Sequence, residues 1–174
     1  MSDFSDAAPF LVAMGILIFC SGFFSASEAA FFSLRARDRK ILKNGTSSQQ
    51  LVATLLTRPD RLLSAILFWN LVINVAYFAL SSIVAIQLGS QQTLAASFAG
   101  LSLLSIIFFS EMLPKTFAVL KPVSFASWFS IPLFYLVRMI DPLMRFLDQI
   151  NLFSSMHWHY LLLLRPVPIR YRPP

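Results

Sequence analysis

Four long apolar runs, nearly free of charge, constrain what this chain can fold into. Residues 7–34 contain one charged residue, Glu28, and residues 62–88, 93–110 and 122–137 contain none. An α-helix rises 1.5 Å per residue, so roughly 20 residues cross a hydrocarbon core about 30 Å thick. The chain is 57% hydrophobic and 13% charged, against about 45–50% and 25% in soluble proteins. These features predict an all-α membrane protein.

The lengths of the runs predict how many helices cross the membrane. The first two runs are long enough, and the third reaches if its helix continues through Glu111 to Leu113. The fourth is short and contains Pro122 and Pro132, so we expect it to be re-entrant or interfacial. The predicted fold is three transmembrane helices plus cytoplasmic juxtamembrane or re-entrant amphipathic helices.

The positions of the basic residues predict the orientation. With the N-terminus outside and three crossings, residues 35–61 and everything after the third span lie inside, and the loop 89–92 lies outside. This arrangement places every basic residue in the cytoplasm, as the positive-inside rule prefers. These residues are Arg35, Arg37, Arg39, Lys40, Lys43, Arg58, Arg61, Lys115, Lys121, Arg138, Arg145, Arg165, Arg170 and Arg172. We therefore expect a cytoplasmic C-terminus.

The segment between the first two spans, residues 35–57, mixes charged and apolar positions around Asn44-Gly45-Thr46. This pattern is typical of two short amphipathic helices that lie on the membrane surface and are joined by a turn. The net charge of +6 is consistent with such surface contact with anionic lipid. Nucleic acid is not an expected partner, because the apolar content leaves little soluble surface to bind it.

Polar side chains recur inside the apolar runs at helical spacing. Ser21, Ser25 and Glu28 share one face of the first span, and Ser27 belongs to that face only loosely. Two further groups lie in the other spans: Asn70 and Asn74 in the second, and Ser110 and Glu111 before Pro114 in the third. Proline lacks an N–H, so the carbonyl of Ser110, four residues earlier, loses its helical donor. Polar groups at this depth usually face a partner, a cavity or an ion path.

Two interpretations of these residues stay open on chemistry alone. Hydroxyl, amide, carboxylate and carbonyl oxygens are the ligands of hard cations such as Mg²⁺, Ca²⁺ or Na⁺, whereas zinc and copper prefer His and Cys. The first interpretation is therefore a cation site where three spans meet. The second is interhelical hydrogen bonding, worth about 0.6 kcal/mol per pair on average.

Three motifs in the same residues resemble the CNNM/CorC (cyclin M) magnesium transporter family. The stretch SGFFSASEAA at residues 21–30 resembles the first-helix signature S-x-F-F-S-x-x-E, and SEMLPK at residues 110–115 resembles the third-helix signature G-E-x-x-P-K. Asn70 and Asn74 fall where the second helix of the family carries asparagines. The likeness runs from about residue 10 to about residue 145.

The resemblance implies a homodimer that exports Mg²⁺, coupled to Na⁺ entry, as a secondary transporter of the plasma membrane, the inner membrane in a bacterium. A dehydrated Mg²⁺ would be bound within the transmembrane bundle. Carried over by position, the metal ligands are Ser21, Ser25, Asn70, the Ser110 carbonyl and Glu111. Asn74, Glu28 and Ser27 are further candidates for the metal or for the coupling ion, and Glu28 is also expected to pair with Arg35 or Arg37.

Two departures from the family pattern bear on these expectations. Position 110 is Ser where the family commonly has Gly. Members of the family also continue into a pair of cytosolic CBS domains that bind ATP, and these 174 residues contain no such pair. We therefore expect a CorC-like domain with its juxtamembrane helices over residues 1–150, an unassigned tail over 151–174 and no ATP site in this chain.

The alternative function is a non-transporting membrane module that dimerises, holds a structural cation and serves as a platform or sensor. Enzymatic activity is not expected. The chain offers no combination of a nucleophile and a base at one depth, because the serines lack a His partner there.

Overall fold

The structure, a computed structural model, describes residues 2–87 and 92–163. Every regular element in these ranges is helical, which confirms the predicted fold class. The chain divides into two compact units, Met1–Val137 and Arg138–Pro174, and the candidate site lies in the first. The helices are α1 (Ser2–Ser33), α2 (Ala36–Lys43), α3 (Ser47–Leu55), α4 (Pro59–Gln87), α5 (Gln92–Ser105), a π-helical segment (Ile106–Met112), α6 (Leu113–Leu120) and α7 (Pro122–Leu163).

Four stretches are long and apolar enough to cross a membrane. They are Ala8–Ser33 in α1, Pro59–Gln87 in α4, Thr93–Leu120 through α5, the π segment and α6, and Pro122–Pro142 in α7. The third continues past Glu111, as expected. The fourth differs from the expectation, because α7 runs through Pro132 without a break and its apolar stretch is 21 residues long. Length therefore does not prevent α7 from crossing, and its re-entrant placement stays a prediction.

The surfaces of the spans are those of a helix bundle in lipid. Large apolar side chains point outward along them, among them Phe19 at 84%, Trp128 at 79% and Ile86 at 78% exposure. Such exposure would be costly in water, at roughly 25 cal/mol per Å² of apolar surface, and costs nothing against acyl chains. The outward-facing apolar residues agree with a membrane protein.

The predicted surface hairpin is present as α2 and α3. Each helix begins with a cap in which the side chain three residues into the helix accepts a hydrogen bond from the backbone N–H of the capping residue. The Asp38 carboxylate accepts from Arg35 N–H at 3.1 Å, and the Gln49 amide oxygen accepts from Thr46 N–H at 3.0 Å. These polar caps start both helices of the hairpin without relying on the core.

The hairpin is fixed to the bundle by apolar contacts. Buried side chains of α2 and α3 join one hydrophobic cluster with the ends of α1 and α4 and with α6 and α7. The hairpin contributes Leu42, Val52 and Leu55 to this cluster, with Leu56 just after α3. A second cluster, formed by Met14, Tyr77, Val84 and Ile106, packs α1, α4 and the π segment together further along the spans. The polar residues described below lie where these same three spans meet.

Candidate cation site

Three polar side chains from two other spans converge on Ser21. Its hydroxyl oxygen lies 2.7 Å from the Asn70 amide oxygen, 2.9 Å from the Asn74 amide oxygen and 3.1 Å from the Ser110 hydroxyl. Ser21 and Ser110 are fully buried. The structure thus brings together Ser21, Asn70 and Ser110, as predicted, and places Asn74, a secondary candidate, among them on equal terms.

With both asparagine amides presenting their oxygens to Ser21, the hydrogens in this Ser21 cluster are too few for its contacts. Three oxygen–oxygen contacts meet at Ser21, and the two hydroxyls that take part carry one hydrogen each. Ser21 is the donor in each of these contacts and has a single hydrogen, so at least one amide oxygen faces it without a hydrogen between them. Close oxygens without a hydrogen repel, and a cation bound among them turns that repulsion into coordination.

A second buried polar cluster shows the contrast. The Tyr77 hydroxyl donates to the Ser102 carbonyl at 3.0 Å, the Ser102 hydroxyl donates to Tyr77 at 2.9 Å, and the Ser81 and Ser102 hydroxyls lie 2.8 Å apart. Three hydroxyl hydrogens are enough for three contacts. This Tyr77 cluster is therefore closed, in the sense that each of its contacts between α4 and α5 is a hydrogen bond. Sequence reasoning did not single it out, although Tyr77 and Ser81 have the same four-residue spacing as Asn70 and Asn74.

The π segment sets the position of Ser110 and Glu111. Its hydrogen bonds skip one residue more than in an α-helix, as in the bond from Leu113 N–H to the Phe108 carbonyl. Pro114 follows in the first turn of α6, where its missing N–H is tolerated. A bulge of this kind is frequent at functional sites and rotates the residues after it relative to those before. The freed carbonyl of Ser110 stays a predicted ligand.

Gly22 lets α1 approach the π segment closely. A Cβ atom at this position would lie 3.2 Å from the Pro114 ring, 3.6 Å from the Phe109 carbonyl oxygen and 3.8 Å from the Ser110 Cα. A side chain here would therefore push the two helices apart. The missing Cβ of Gly22, next in sequence to Ser21, is what allows the Ser21 and Ser110 hydroxyls to meet.

Ser25 and Glu111 extend the cluster along α1. The Ser25 hydroxyl donates to the Glu111 carbonyl at 3.4 Å and is almost fully buried. The Glu111 side chain is half-buried, and among the residues whose side chains the structure describes it has no recorded ion pair. Only the backbone carbonyl of Glu111 contacts Ser25; its carboxylate stays a predicted ligand, and it would provide the negative charge that a divalent cation needs.

Glu28 and Ser27, the other two candidates in α1, lie outside the Ser21 cluster. Glu28 pairs with Lys115 of α6 at 3.2 Å, so the expectation of a partner in Arg35 or Arg37 was wrong. Lys115 comes one residue after Pro114, and the contact between α1 and α6 that Gly22 allows brings the lysine within reach. The Ser27 hydroxyl is buried and donates to the Phe23 carbonyl of its own helix at 2.7 Å, which leaves its hydrogen unavailable to the cluster.

The ligand types at the site point to a hard cation. Within the described ranges, no three His, Cys, Asp or Glu side chains come together, so the candidate ligands are neutral oxygens and one carboxylate. This combination suits Mg²⁺, Ca²⁺ or Na⁺.

Comparison with known proteins identifies the family. The family model described as "Cyclin M transmembrane N-terminal domain" matches residues 12–155. The chain belongs to the cyclin M family. The resemblance drawn from the three motifs is thereby confirmed, and the cyclin M match includes every residue of the Ser21 cluster together with Ser25 and Glu111.

Two curated relatives of this cyclin M domain come from bacteria. The chain is 36% identical over 132 residues to the UPF0053 inner membrane protein YfjD of Escherichia coli, covering 75% of the chain and 31% of that protein. It is 34% identical over 128 residues to a UPF0053 protein of Haemophilus influenzae, covering 70% of the chain and 30% of that protein. The chain thus spans about a third of the length of these relatives.

Proposed function

We propose that this chain is the transport domain of a magnesium transporter, in which the Ser21 cluster binds the ion that is carried. The observation that carries the proposal is the shortage of hydrogens at Ser21, where three oxygen–oxygen contacts, one buried and two part-buried, share two hydroxyl hydrogens. The closed Tyr77 cluster shows that this chain can satisfy buried hydroxyls completely where hydrogen bonding is their role.

The proposed ligands are the oxygens of Ser21, Ser25, Asn70 and Glu111 and the Ser110 carbonyl, with Asn74 as a further ligand. Mg²⁺ gives up its water reluctantly, and one carboxylate among neutral oxygens compensates that cost only in part. A site with only this moderate affinity for Mg²⁺ can release the ion again, as transport requires. The ligands lie on three different spans, so rocking of α1 against the other two would open the site to either side.

The remaining parts of the proposal follow from the family resemblance and the charge distribution. The transporter exports Mg²⁺ in exchange for Na⁺, works as a homodimer and lies in the bacterial inner membrane, where the Escherichia coli relative is placed by its name. Its N-terminus is outside and its C-terminus cytoplasmic, because this orientation keeps the basic residues inside.

Cation-dependent thermal stability of the detergent-purified protein tests the site. If Mg²⁺ binds the folded state only, a concentration 100 times the dissociation constant stabilises it by about 2.7 kcal/mol. For a chain of this size that raises Tm by about 5–10 °C. We expect Glu111→Gln to abolish the rise. Glu28→Gln is the matched control, because it removes a carboxylate from the same bundle and leaves the Ser21 cluster intact.

Magnesium flux from liposomes then separates transport from a structural cation. A transporter loses flux on Asn70→Ala and still folds, whereas a membrane module with a structural ion loses thermal stability with the ion. If no cation shifts Tm in a folded sample, the cation site is refuted. The Ser21 cluster then acts as interhelical hydrogen bonding, with one asparagine amide turned to present its N–H.

A further inference from the structure

A small basic cleft lies between α2 and α3, away from the cation site. Its volume is about 260 Å³, and it is lined by Arg39, Lys40, Lys43, Ala53, Leu56 and Thr57. One water needs roughly 10–15 Å³ of such space, so the cleft admits a polyatomic group. Three of the six lining residues are cationic and none is acidic, which gives the cleft a strongly positive potential.

Arg39 has a donor in this region that lacks an acceptor. Its Nε atom is buried and has no hydrogen-bond partner among the described residues. Leaving the N–H of a charged guanidinium buried and unpaired is costly. An arginine fork is shaped to bind two oxygens of one phosphate or carboxylate, so a rotation of the Arg39 side chain toward the cleft would give its Nε an acceptor on an anion bound there.

The nearest acidic residue along α2 is committed elsewhere. Asp38 caps its own helix by accepting from Arg35 N–H, and it lines a different cavity together with Arg35 and Arg37. The Thr57 hydroxyl donates to the Thr54 carbonyl, so it adds no negative charge to the cleft. The acceptor for Arg39 is therefore expected to come from outside the described residues.

The position of the cleft favours a ligand from the membrane. Leu56 belongs both to its wall and to the apolar cluster that holds the hairpin against α1 and α4. Since α1 ends at Ser33 and α4 begins at Pro59, the hairpin lies at the ends of two spans, where lipid headgroups are found. Basic pockets at this level on the cytoplasmic side suit anionic headgroups.

We infer that the α2–α3 cleft binds a phosphate group, with the phosphate of an anionic phospholipid as the ligand that its position favours. If these basic residues served only to orient the chain in the membrane, they would need only to lie on the cytoplasmic side. A cleft lined by three cations, one of them Arg39 with its unpaired Nε, goes further, because the three charges meet at one volume large enough for a phosphate group. The inference is independent of the cation site.

The test uses the whole chain in neutral detergent and follows Tm by thermal unfolding. Dioctanoyl phosphatidylglycerol is titrated as the anionic lipid, dioctanoyl phosphatidylcholine as the lipid without net charge, and inorganic phosphate as the soluble source. The test variant R39Q/K40Q/K43Q is compared with R37Q/R58Q/K121Q, which removes the same charge from exposed positions outside the cleft. Each basic group at an anionic surface contributes about fivefold, so the test variant should bind on the order of 100-fold more weakly.

The outcomes are distinct. A saturable rise in Tm with phosphatidylglycerol in the unaltered protein and the control variant, lost in the test variant, supports the site. A rise with inorganic phosphate at similar concentration also supports it and makes a soluble anion the ligand. No rise with either in the unaltered protein, or an equal rise in both variants, overturns the inference.

Two arginine-to-lysine variants separate the geometry of the Arg39 side chain from its charge. They also keep the test informative if the triple variant fails to fold. Arg39→Lys keeps the charge and removes the Nε–H, so we expect about fivefold to tenfold weaker binding of phosphatidylglycerol. Arg37→Lys, at an exposed position on the same helix, should bind as the unaltered protein does. Equal binding by both lysine variants would contradict a role for the buried Nε.

Discussion

Ser21 is the residue at which the two interpretations of the polar residues at membrane depth differ most. Its spacing with Ser25 predicts a shared helix face, and the asparagine spacing predicts a second one. Residue spacing cannot say how many hydrogens the assembled oxygens share, because that number depends on which side chains meet across helices. The structure supplies it, with three contacts and two hydroxyl hydrogens at Ser21.

Removing one hydroxyl from each polar cluster should have different consequences. Ser21→Ala deletes the central oxygen of the cation site, whereas Ser81→Ala deletes one hydrogen bond of the closed Tyr77 cluster. We expect Ser81→Ala to cost about 0.6–1.7 kcal/mol of stability and to keep the Mg²⁺-dependent rise in Tm. Ser21→Ala should lose that rise. Thermal unfolding of both variants with and without Mg²⁺ measures the difference, and a full Mg²⁺ response from Ser21→Ala would contradict the assignment.

Two glycines in α1 offer a matched test of helix contact. Ala stabilises an unconstrained helix position over Gly by about 0.5–1 kcal/mol, and Gly15 has nothing within 4 Å of an added Cβ. At Gly22 the added Cβ would meet the Pro114 ring at 3.2 Å, and overpacking typically costs about 1–3 kcal/mol. Gly22→Ala should therefore melt below Gly15→Ala by several degrees. Equal Tm values would show that α1 and α6 separate freely.

The helices follow from the sequence to different degrees. The spans and the α2–α3 hairpin are set by local signals, namely apolar length, the caps at Asp38 and Gln49, and the Asn44-Gly45-Thr46 turn, and these predictions are confirmed. The π segment and the Glu28–Lys115 pair were not predicted. Both depend on how α1, the π segment and α6 rotate against one another, and the contact at Gly22 that fixes this rotation joins residues nearly 90 positions apart.

Pro114 is the residue through which the π segment can be tested. Pro114→Ala restores an N–H four residues after the Ser110 carbonyl, so the segment can close as a regular α-helix. The extra residue per turn of the π segment would be lost, and Ser110 and Glu111 would rotate away from α1. We expect the variant to fold with unchanged or higher Tm and to lose its Mg²⁺ response. A retained response would show that the bulge does not position the ligands, and circular dichroism confirms that the helices persist.

The arrangement of the whole chain places the candidate sites at different depths. The Ser21 cluster joins three spans within the bundle, and the basic cleft lies on the hairpin at the ends of α1 and α4. The orientation of both sites depends on the topology predicted from the basic residues. The structure adds an alternative, because Pro122–Pro142 in α7 is long enough to cross, and a crossing would carry Arg145, Arg165, Arg170 and Arg172 to the outside.

Cysteine labelling resolves this question. After Cys20→Ser removes the exposed cysteine of α1, single cysteines are placed by Asn44→Cys, Thr93→Cys and Arg165→Cys and treated with a membrane-impermeant maleimide on intact cells. Thr93→Cys should react from outside, and the other two only after permeabilisation, because the positive-inside rule keeps their surroundings in the cytoplasm. Reaction of Arg165→Cys from outside would mean that α7 crosses. Since the candidate ligands all belong to α1, α4 and the third span, that outcome would move the C-terminus and leave the cation site where it is.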